Sequence, residues 1–188
     1  HLRRTVRKNL LGNHIVLEEK NEKLNLNFRM SWRPSEQFGF IRKVEIQNLG
    51  EEPVQVKVLD GLRNLLPPNL GQRFQNEFSI LGDAYKQTNL IQPENIGVYH
   101  LSSVPTDQSD PQESLLASVA WQVGLSDATF LISESQLNKF RRTGEVVAES
   151  AIRGKRGAYL TVSEMDIPAM SSKAWYICAD VELDAPRI

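Results

Sequence analysis

Strict alternation of apolar and polar residues constrains this chain more than any other feature of its sequence. It is clearest in three segments, 24–33, 115–123 and 175–183, where every second side chain is apolar. A period of two matches a β-strand, whose successive side chains point to opposite faces of a sheet. These segments therefore predict strands with one face in a core and the other in water.

Shorter segments of the same kind raise the predicted total to about nine strands, separated by turns that contain Gly, Asn or Pro. Strands do not alternate with helices along the chain, which argues against a βαβ arrangement. We predict a mainly β fold, a two-sheet antiparallel β-sandwich of the supersandwich-like kind. Residues 40–58 are predicted to form a β-hairpin around the turn at 48–53.

Two segments replace this alternation with helical spacing. Four large side chains fall at intervals of four, three and four, which predicts one main helix near 72–86. A shorter segment with the same kind of spacing predicts a helical turn near 134–142.

Residues 59–78 join the predicted hairpin to the predicted main helix. Asp60-Gly61 is typical of a turn, and Pro67-Pro68 excludes a regular helix or a central strand at that point. The leucines of this segment are expected to anchor a structural corner on the core. Phe74 and Phe78 are expected to seat the helix against a sheet.

Charge is distributed unevenly along the chain. The formal net charge is −1, with 40% hydrophobic and 24% charged residues, which is ordinary for a globular protein. We expect a flexible, basic N-terminal arm at 1–13 and a single sandwich domain at 14–188. Such an arm could bind polyanions, although a solvated terminus is its commoner role. The arm contains Arg3, Arg4, Arg7 and Lys8.

The chain has one cysteine, Cys178, which excludes an internal disulfide. Cys178 lies in an apolar strand pattern, which predicts a buried and inert thiol. The lack of disulfides favours a reducing compartment, and we expect a cytoplasmic protein. No apolar run approaches the roughly 20 residues that a membrane-spanning helix needs.

No known catalytic or cofactor-binding motif is present. The sequence lacks a P-loop, a dinucleotide fingerprint, zinc-ligand spacing and a Gly-x-Ser-x-Gly elbow, so we expect no cofactor and no metal. A half-buried, hydrogen-bonded imidazole is the default for His100. Nothing in the spacing of the acidic residues selects the carboxylate pair that glycosidic chemistry requires. We therefore expect no catalytic residue in this chain.

Candidate binding residues are polar side chains in predicted turns. One flanks Pro34, three lie in the corner at 59–78, and three lie in the glycine-flanked basic turn at 153–157, which could hold a phosphate or an acidic protein surface. Each is more often a solvated turn residue than a ligand contact. The candidates are Arg33, Asp60, Arg63, Asn64, Arg153, Lys155 and Arg156.

Several of these segments carry a resemblance to a known family. The most specific is Leu59-Asp-Gly-Leu-Arg-Asn-Leu-Leu-Pro, which follows the Asn48-Leu-Gly turn. Others are Phe28-Arg-Met-Ser-Trp-Arg-Pro-Ser-Glu-Gln-Phe-Gly-Phe and Arg153-Gly-Lys-Arg-Gly-Ala-Tyr. Over residues 14–184 the chain resembles the N-terminal β-sandwich region of large cellobiose-phosphorylase-like proteins.

This resemblance implies an accessory role. In such enzymes the catalytic acid and the phosphate-binding residues belong to an α/α-barrel domain that follows the sandwich. The chain has no comparable helical array, so the resemblance carries no catalytic residue over to it. Because the chain begins with His1, we expect a module excised from a larger protein, one that supports assembly or forms the rim of an active site elsewhere.

Two alternatives remain open. The chain could be a stand-alone carbohydrate-binding module that uses exposed aromatics such as Tyr99 or Tyr159. It could also be a structural or protein-interaction domain with no sugar ligand. The expected partners are the remainder of the parent polypeptide, a carbohydrate and a second copy of the chain, with no nucleic acid and no membrane.

Overall fold

The structure, a computed structural model, describes residues 2–105 and 113–188 of the chain. Its strands are β1 (Leu2–Lys8), β2 (Ile15–Asn21), β3 (Leu26–Ser35), β4 (Gly39–Asn48), β5 (Val54–Leu65), β6 (Lys86–Ile91), β7 (Ile96–Leu101), β8 (Ala117–Val123), β9 (Thr129–Leu131), β10 (Ala151–Arg153), β11 (Gly157–Ile167) and β12 (Ser172–Leu183). Its helices are α1 (Gln72–Glu77), α2 (Ser79–Tyr85) and α3 (Leu137–Thr143), and a 3₁₀ turn covers Ala185–Arg187.

The strands form two antiparallel sheets. One has nine strands in the order β1-β2-β3-β4-β12-β8-β7-β6-β10, and the other has three in the order β5-β11-β9. The fold is mainly β and sandwich-like, which confirms the fold class predicted from the alternation. No helix in the described part of the chain is both long and apolar enough to cross a membrane.

The chain divides into two compact units, each assembled from three separate segments. Unit 1 contains His1–Val58, Gln122–Ala128 and Ser163–Cys178. Unit 2 contains Leu59–Trp121, Thr129–Val162 and Ala179–Ile188. Strands β5, β8, β11 and β12 therefore each contribute residues to both units.

Unit 1 is built on the meander β1-β2-β3-β4. The alternating pattern buries the even-numbered residues of β4 from Arg42 to Asn48, with Val44 completely buried and Ile46 8% exposed. Pro34 does not end β3, which pairs with β4 as far as Ser35. Pairing with β2 stops at Trp32, however, because a proline has no N–H to donate to a second neighbour.

The hairpin predicted over 40–58 is wrong, because β4 and β5 lie in different sheets. The buried side chain of Asn48 explains why the chain turns away. Its Nδ2 donates hydrogen bonds to the carbonyls of Glu52 (2.7 Å) and Pro168 (3.1 Å), and its Oδ1 accepts one from the Gly50 amide (2.9 Å). These bonds tie the turn to the β11–β12 connection, which is too distant in sequence for local patterning to reveal.

Among the described residues, unit 2 contains the following apolar clusters. One joins Val98, Ala117, Val119 and Leu183, and another joins Leu131, Ala158 and Leu160. The Leu62 side chain is 8% exposed, as expected for an anchor of the corner segment.

Residues Asp60 and Gly61 lie inside β5 rather than in the predicted turn. A Cβ on Gly61 would meet the carbonyl oxygen of Tyr159 at 1.9 Å and the Cα of Leu160 at 2.7 Å. Glycine is therefore required here by the close approach of the β11 backbone and not by a turn conformation.

The main helix near 72–86 is present but interrupted. It breaks into α1 and α2 at Phe78, whose backbone has φ −129° and ψ 41°. Phe78 is 52% exposed, so the expectation that it seats the helix against a sheet is wrong. The predicted turn near 134–142 corresponds to α3.

Several residues singled out in the sequence have the expected environment. Cys178 is 7% exposed, and burial raises the pKa of its thiol, which confirms a buried cysteine. His100 is half-buried, with Nε2 bonded to the Asn89 amide at 3.1 Å and Nδ1 close to the Leu101 carbonyl at 3.1 Å.

Residues 2–8 of the expected N-terminal arm form β1, which pairs with β2 along its whole length. Charged side chains mask the strand pattern there, because both faces of an edge strand in a solvated meander can be polar.

Candidate functional site

Four of the seven candidate binding residues converge on one cavity in unit 2. The cavity has a volume of about 540 Å³ and brings together the end of β5, the segment after β9 and the turn between β10 and β11. We call it the Arg63 cavity. It is lined by Arg63, Asn64, Ser133, Glu134, Ser135, Lys155 and Arg156.

An ion pair spans the cavity between two of its contributing segments. The guanidinium of Arg63 donates a hydrogen bond to the Glu134 carboxylate. That bond, helped by the charges of Arg63 and Arg156, outweighs partial burial and holds the pKa of Glu134 below its ordinary value. The same hydrogen bond and the charge of Glu134 raise the pKa of Arg63. Glu134 is therefore an anion throughout the physiological pH range.

The segment after β9 is held in place by the carboxylate of Glu149. This carboxylate accepts hydrogen bonds from the Ile132 and Ser133 amides, both at 2.9 Å, and from the Ser133 hydroxyl at 3.0 Å. A fourth bond comes from Gln136 Nε2 at 2.9 Å. Glu149 thereby fixes the backbone that carries Ser133, Glu134 and Ser135 into the cavity.

The β10–β11 turn is stabilised by contacts with a buried lysine and its ion-pair partner. Lys86 is 4% exposed, and its ammonium donates to Asp83 Oδ1 at 2.6 Å. The other oxygen of Asp83 lies 3.6 Å from Arg156 Nε, and the Gly154 amide donates to the Lys86 carbonyl at 2.9 Å. These contacts orient the turn, and they leave Lys155 as the one basic side chain lining the cavity with no ion pair among the described residues.

The backbone of Asn64 has a left-handed conformation, with φ +56°. Asparagine tolerates this region better than most residues. The conformation falls in the last residues of β5, where the chain leaves the sheet. It places a neutral amide beside the Arg63–Glu134 pair.

Three candidate residues lie outside the Arg63 cavity. Asp60 is 8% exposed within β5, and Arg153 is on β10, where it pairs with Gln87. Arg33 belongs to unit 1, where it lines a polar cavity of about 300 Å³ and an apolar one of about 680 Å³. Asp60 was a candidate because Asp60-Gly61 was predicted to form a turn, and that prediction is wrong, since Asp60 is a buried residue of β5.

Sequence reasoning missed the serines and Glu134 as cavity residues. A signal existed, since Ser133-Glu134-Ser135 is a polar triplet directly after an apolar strand pattern. Glu149 had no such signal, because its role depends on hydrogen bonds to a segment more than ten residues away.

The aromatics proposed as sugar-stacking platforms are buried. Tyr99 is 1% exposed and Tyr159 is completely buried. Their hydroxyls donate to the carbonyls of Ala158 and Asn95, both at 2.8 Å. This corrects the alternative in which Tyr99 or Tyr159 stacks on a carbohydrate at the surface.

Comparison with known proteins finds no matching family model and no matching curated protein. Among solved structures, the chain is similar to the Slr1438 protein from Synechocystis sp. PCC 6803, with 8% identity and a TM-score of 0.46, over 95% of this chain and 65% of that one. It is also similar to a heparinase III (BT4657 gene product), with 9% identity and a TM-score of 0.40, over 99% of this chain and 22% of that one. The chain thus spans just under two thirds of the first protein and about a fifth of the second.

Proposed function

We propose that this chain is a non-catalytic β-sandwich module of a larger, cellobiose-phosphorylase-like carbohydrate-active protein, and that the Arg63 cavity binds a neutral carbohydrate. In the parent protein the module would support assembly or the rim of the active site. The observation that carries this proposal is the convergence of polar side chains from three separate segments on one cavity.

The chemistry of the lining suits a sugar. Sugar hydroxyls both donate and accept hydrogen bonds, and the cavity offers hydroxyls from Ser133 and Ser135, an amide from Asn64 and fixed charged groups. Arg63 is paired with Glu134, and Arg156 lies near Asp83, a carboxylate that it shares with Lys86. The serine hydroxyls, the amide and the Arg63–Glu134 pair favour a hydroxyl-rich ligand.

The cavity is arranged for binding rather than for cleavage. Glycosidic chemistry uses two carboxyl groups, one of which must hold a proton near neutral pH. Glu134 is the single carboxylate among the described residues that line the cavity, and Arg63 lowers its pKa. A depressed pKa is the opposite of what a general acid requires.

A titration of the isotope-labelled chain with cellobiose and cellotriose, followed by amide chemical shifts, tests the proposal. We expect shifts at Asn64, at Ser133–Ser135 and at Lys155–Arg156, with millimolar affinity. The double variant Asn64→Gly/Lys155→Ala removes two ligand contacts without straining the left-handed backbone, and it should abolish the shifts. Lys139→Ala, on the exposed side of α3, is the matched control and should leave them unchanged.

Two results would overturn the proposal. One is the absence of any shift at these amides with neutral sugars at high millimolar concentration. The other is hydrolysis of a β-glucoside, or phosphorolysis of cellobiose, by the purified chain on its own.

A further inference from the structure

The register of the first four strands sorts their side chains onto two faces. Residues directly opposite each other in antiparallel strands project to the same face. One such row runs Arg3, Lys20, Asn27 and Gln47 across β1, β2, β3 and β4. The opposite face contains Val44 and Ile46, which are buried in the core. The row from Arg3 to Gln47 therefore belongs to the outer face.

This outer face is strongly basic. Six basic side chains stand against two acidic ones, which gives a net charge of +4 on a chain whose formal net charge is −1. We call it the cationic face. It consists of the basic residues Arg3, Arg7, Lys20, Arg29, Arg33 and Lys43, and the acidic residues Glu18 and Glu45.

Most of these cations are not neutralised within the structure. Arg7 Nη2 lies 3.4 Å from Glu18 Oε2, and the two side chains form a partly exposed ion pair. The other five basic side chains have no ion pair within the described residues. Glu45 faces Arg29 across the strands but forms no ion pair with it. The face is thus left with a row of charges available to an external anion.

Two polar cavities lie along this face. The first, of about 270 Å³, is lined by Arg3, Thr5, Arg7, Glu18, Lys20, Asn27 and Leu49. The second, of about 300 Å³, is lined by His14, Arg29, Ser31, Arg33, Lys43, Glu45 and Tyr176. Both contain residues of β3, so a single extended ligand following that strand would cross both.

An unsatisfied acceptor lies at the first cavity. Asn27 is 8% exposed, and its Nδ2 donates to Glu18 Oε1 (3.1 Å) and Gln47 Oε1 (3.0 Å). Its Oδ1 is buried and has no hydrogen-bond partner among the described residues. A buried acceptor without a partner costs free energy, which a donor entering the cavity would recover. The ligand should therefore carry hydroxyl groups as well as negative charge.

We propose that the cationic face binds an acidic polysaccharide, a chain that carries carboxylate or sulfate groups together with free hydroxyls. Neighbouring strands are about 4.8 Å apart, and cations four residues apart on one strand, such as Arg3 and Arg7, are about 13.6 Å apart along it, which suits an extended anion with repeated charges. The choice of a polysaccharide over another polyanion rests in part on the proposed function.

A single-stranded nucleic acid fits this face less well. Sites for such strands stack the bases on exposed aromatic side chains. On the described residues lining the two cavities, Tyr176 is the one Phe, Tyr or Trp side chain, and it is half-buried. The hydroxyl groups of a polysaccharide also supply the donor that Asn27 lacks.

Binding of the full chain to polygalacturonate and dextran sulfate, measured by calorimetry at low salt, tests this proposal, with uncharged dextran as the ligand control. The variant Arg29→Glu/Lys43→Glu reverses two charges of the face. We expect it to weaken binding of the charged polymers by roughly tenfold or more. The matched variant Lys139→Glu/Arg141→Glu makes the same change in net charge on α3, and its affinity should stay within about twofold of the parent chain.

Three outcomes would overturn the proposal: an equal loss of affinity in both double variants, tighter binding to a single-stranded DNA of matched charge, or no binding to either acidic polymer. If Arg29→Glu/Lys43→Glu lacks the parent's circular dichroism spectrum, Arg3→Glu/Lys20→Glu tests the same face at the other cavity. Failure here leaves the Arg63 cavity untouched, because neutral sugars are detected there through different amides. Conversely, if the parent chain binds dextran sulfate but does not bind cellobiose, the proposed function alone would be disproved.

Discussion

The ionisation of Glu134 depends on a neighbouring arginine. Its carboxylate takes a hydrogen bond from Arg63, which lowers its pKa. A group whose pKa is lower in the folded state stabilises that state above the unfolded pKa, and the contribution is lost as pH falls through the folded pKa. The Arg63–Glu134 pair is partly exposed, so salt and water screen its effect on stability.

We expect Arg63→Gln to raise the pKa of Glu134 towards that of an ordinary glutamate. A carbon-detected NMR titration of the Glu134 carboxyl between acidic and neutral pH measures this. Arg73→Gln, which breaks the exposed pair between Arg73 and Glu77 on α1, is the control and should leave the Glu134 titration unchanged. An unchanged Glu134 midpoint in Arg63→Gln would show that the pair does not govern its ionisation.

The absence of a Cβ atom at Gly61 allows β5 and β11 to pack closely. A methyl group at Gly61 would overlap the Tyr159 carbonyl, which belongs to the backbone and cannot rotate away. We expect Gly61→Ala to lower the free energy of unfolding by about 1–3 kcal/mol, as overpacked sites do. Denaturant unfolding measures the change. Gly71→Ala is the matched control, because a methyl group there meets nothing within 4 Å.

At the residue scale, the sequence pointed to the basic members of the cavity but not to Glu134 or to the residues that support the cavity. Arg63, Lys155 and Arg156 could be predicted because turn residues without an apolar pattern are free to face a ligand. Asp60 was mispredicted, because the turn chemistry of an Asp-Gly pair looks the same whether glycine serves a turn or a close backbone contact. The role of Glu149 depends on the amides of Ile132 and Ser133, which are distant in sequence, so no local pattern predicts it.

At the scale of elements, the segment from β9 to α3 illustrates how one carboxylate can organise a loop. Glu149 accepts bonds from two consecutive amides, those of Ile132 and Ser133. Such bonds to a charged acceptor are stronger than those between neutral groups. Glu149 therefore stabilises the loop between β9 and α3.

We expect Glu149→Ala to destabilise the chain by about 1.5–3 kcal/mol, because it removes a charged acceptor and leaves amide donors without partners. Hydrogen exchange at the Ile132 and Ser133 amides should accelerate more than exchange in β3. Glu145→Ala, an exposed position in the same connection, serves as the control. Equal exchange rates at these amides in Glu149→Ala and the parent chain would contradict this role.

Some strands could be predicted from the sequence and others could not. Strands with a single buried face, such as β3, β8 and β12, were visible because packing and local pattern agree. The prediction of a hairpin at 40–58 was wrong because the hydrogen bonds of Asn48 hold the turn against the β11–β12 connection, which is distant in sequence. Strands β6 and β10 escaped notice because their residues alternate too weakly to stand out.

At the scale of the whole molecule, Cys178 is a natural reporter of unfolding. It lies in β12 at the last position of unit 1, and its thiol is buried. A buried thiol with a raised pKa reacts slowly, because the thiolate is the nucleophile. Its reaction therefore depends on how often β12 opens.

We expect a thiol reagent to label Cys178 very slowly in native buffer. The labelling rate should rise with denaturant in parallel with the loss of far-ultraviolet circular dichroism. Reagent in full denaturant gives the reference rate for the open chain. Rapid labelling before the spectral change would show that β12 opens locally, and it would contradict a uniformly protected strand.

The interleaving of the two compact units has a consequence for the history of the gene. Each unit is assembled from three separated stretches, and the chain passes between units five times. No single stretch of coding sequence therefore specifies either unit alone. Recombination that exchanged, duplicated or deleted one continuous segment would disrupt both units. We therefore expect homologues to retain all six segments and to differ from this chain by substitutions and loop insertions.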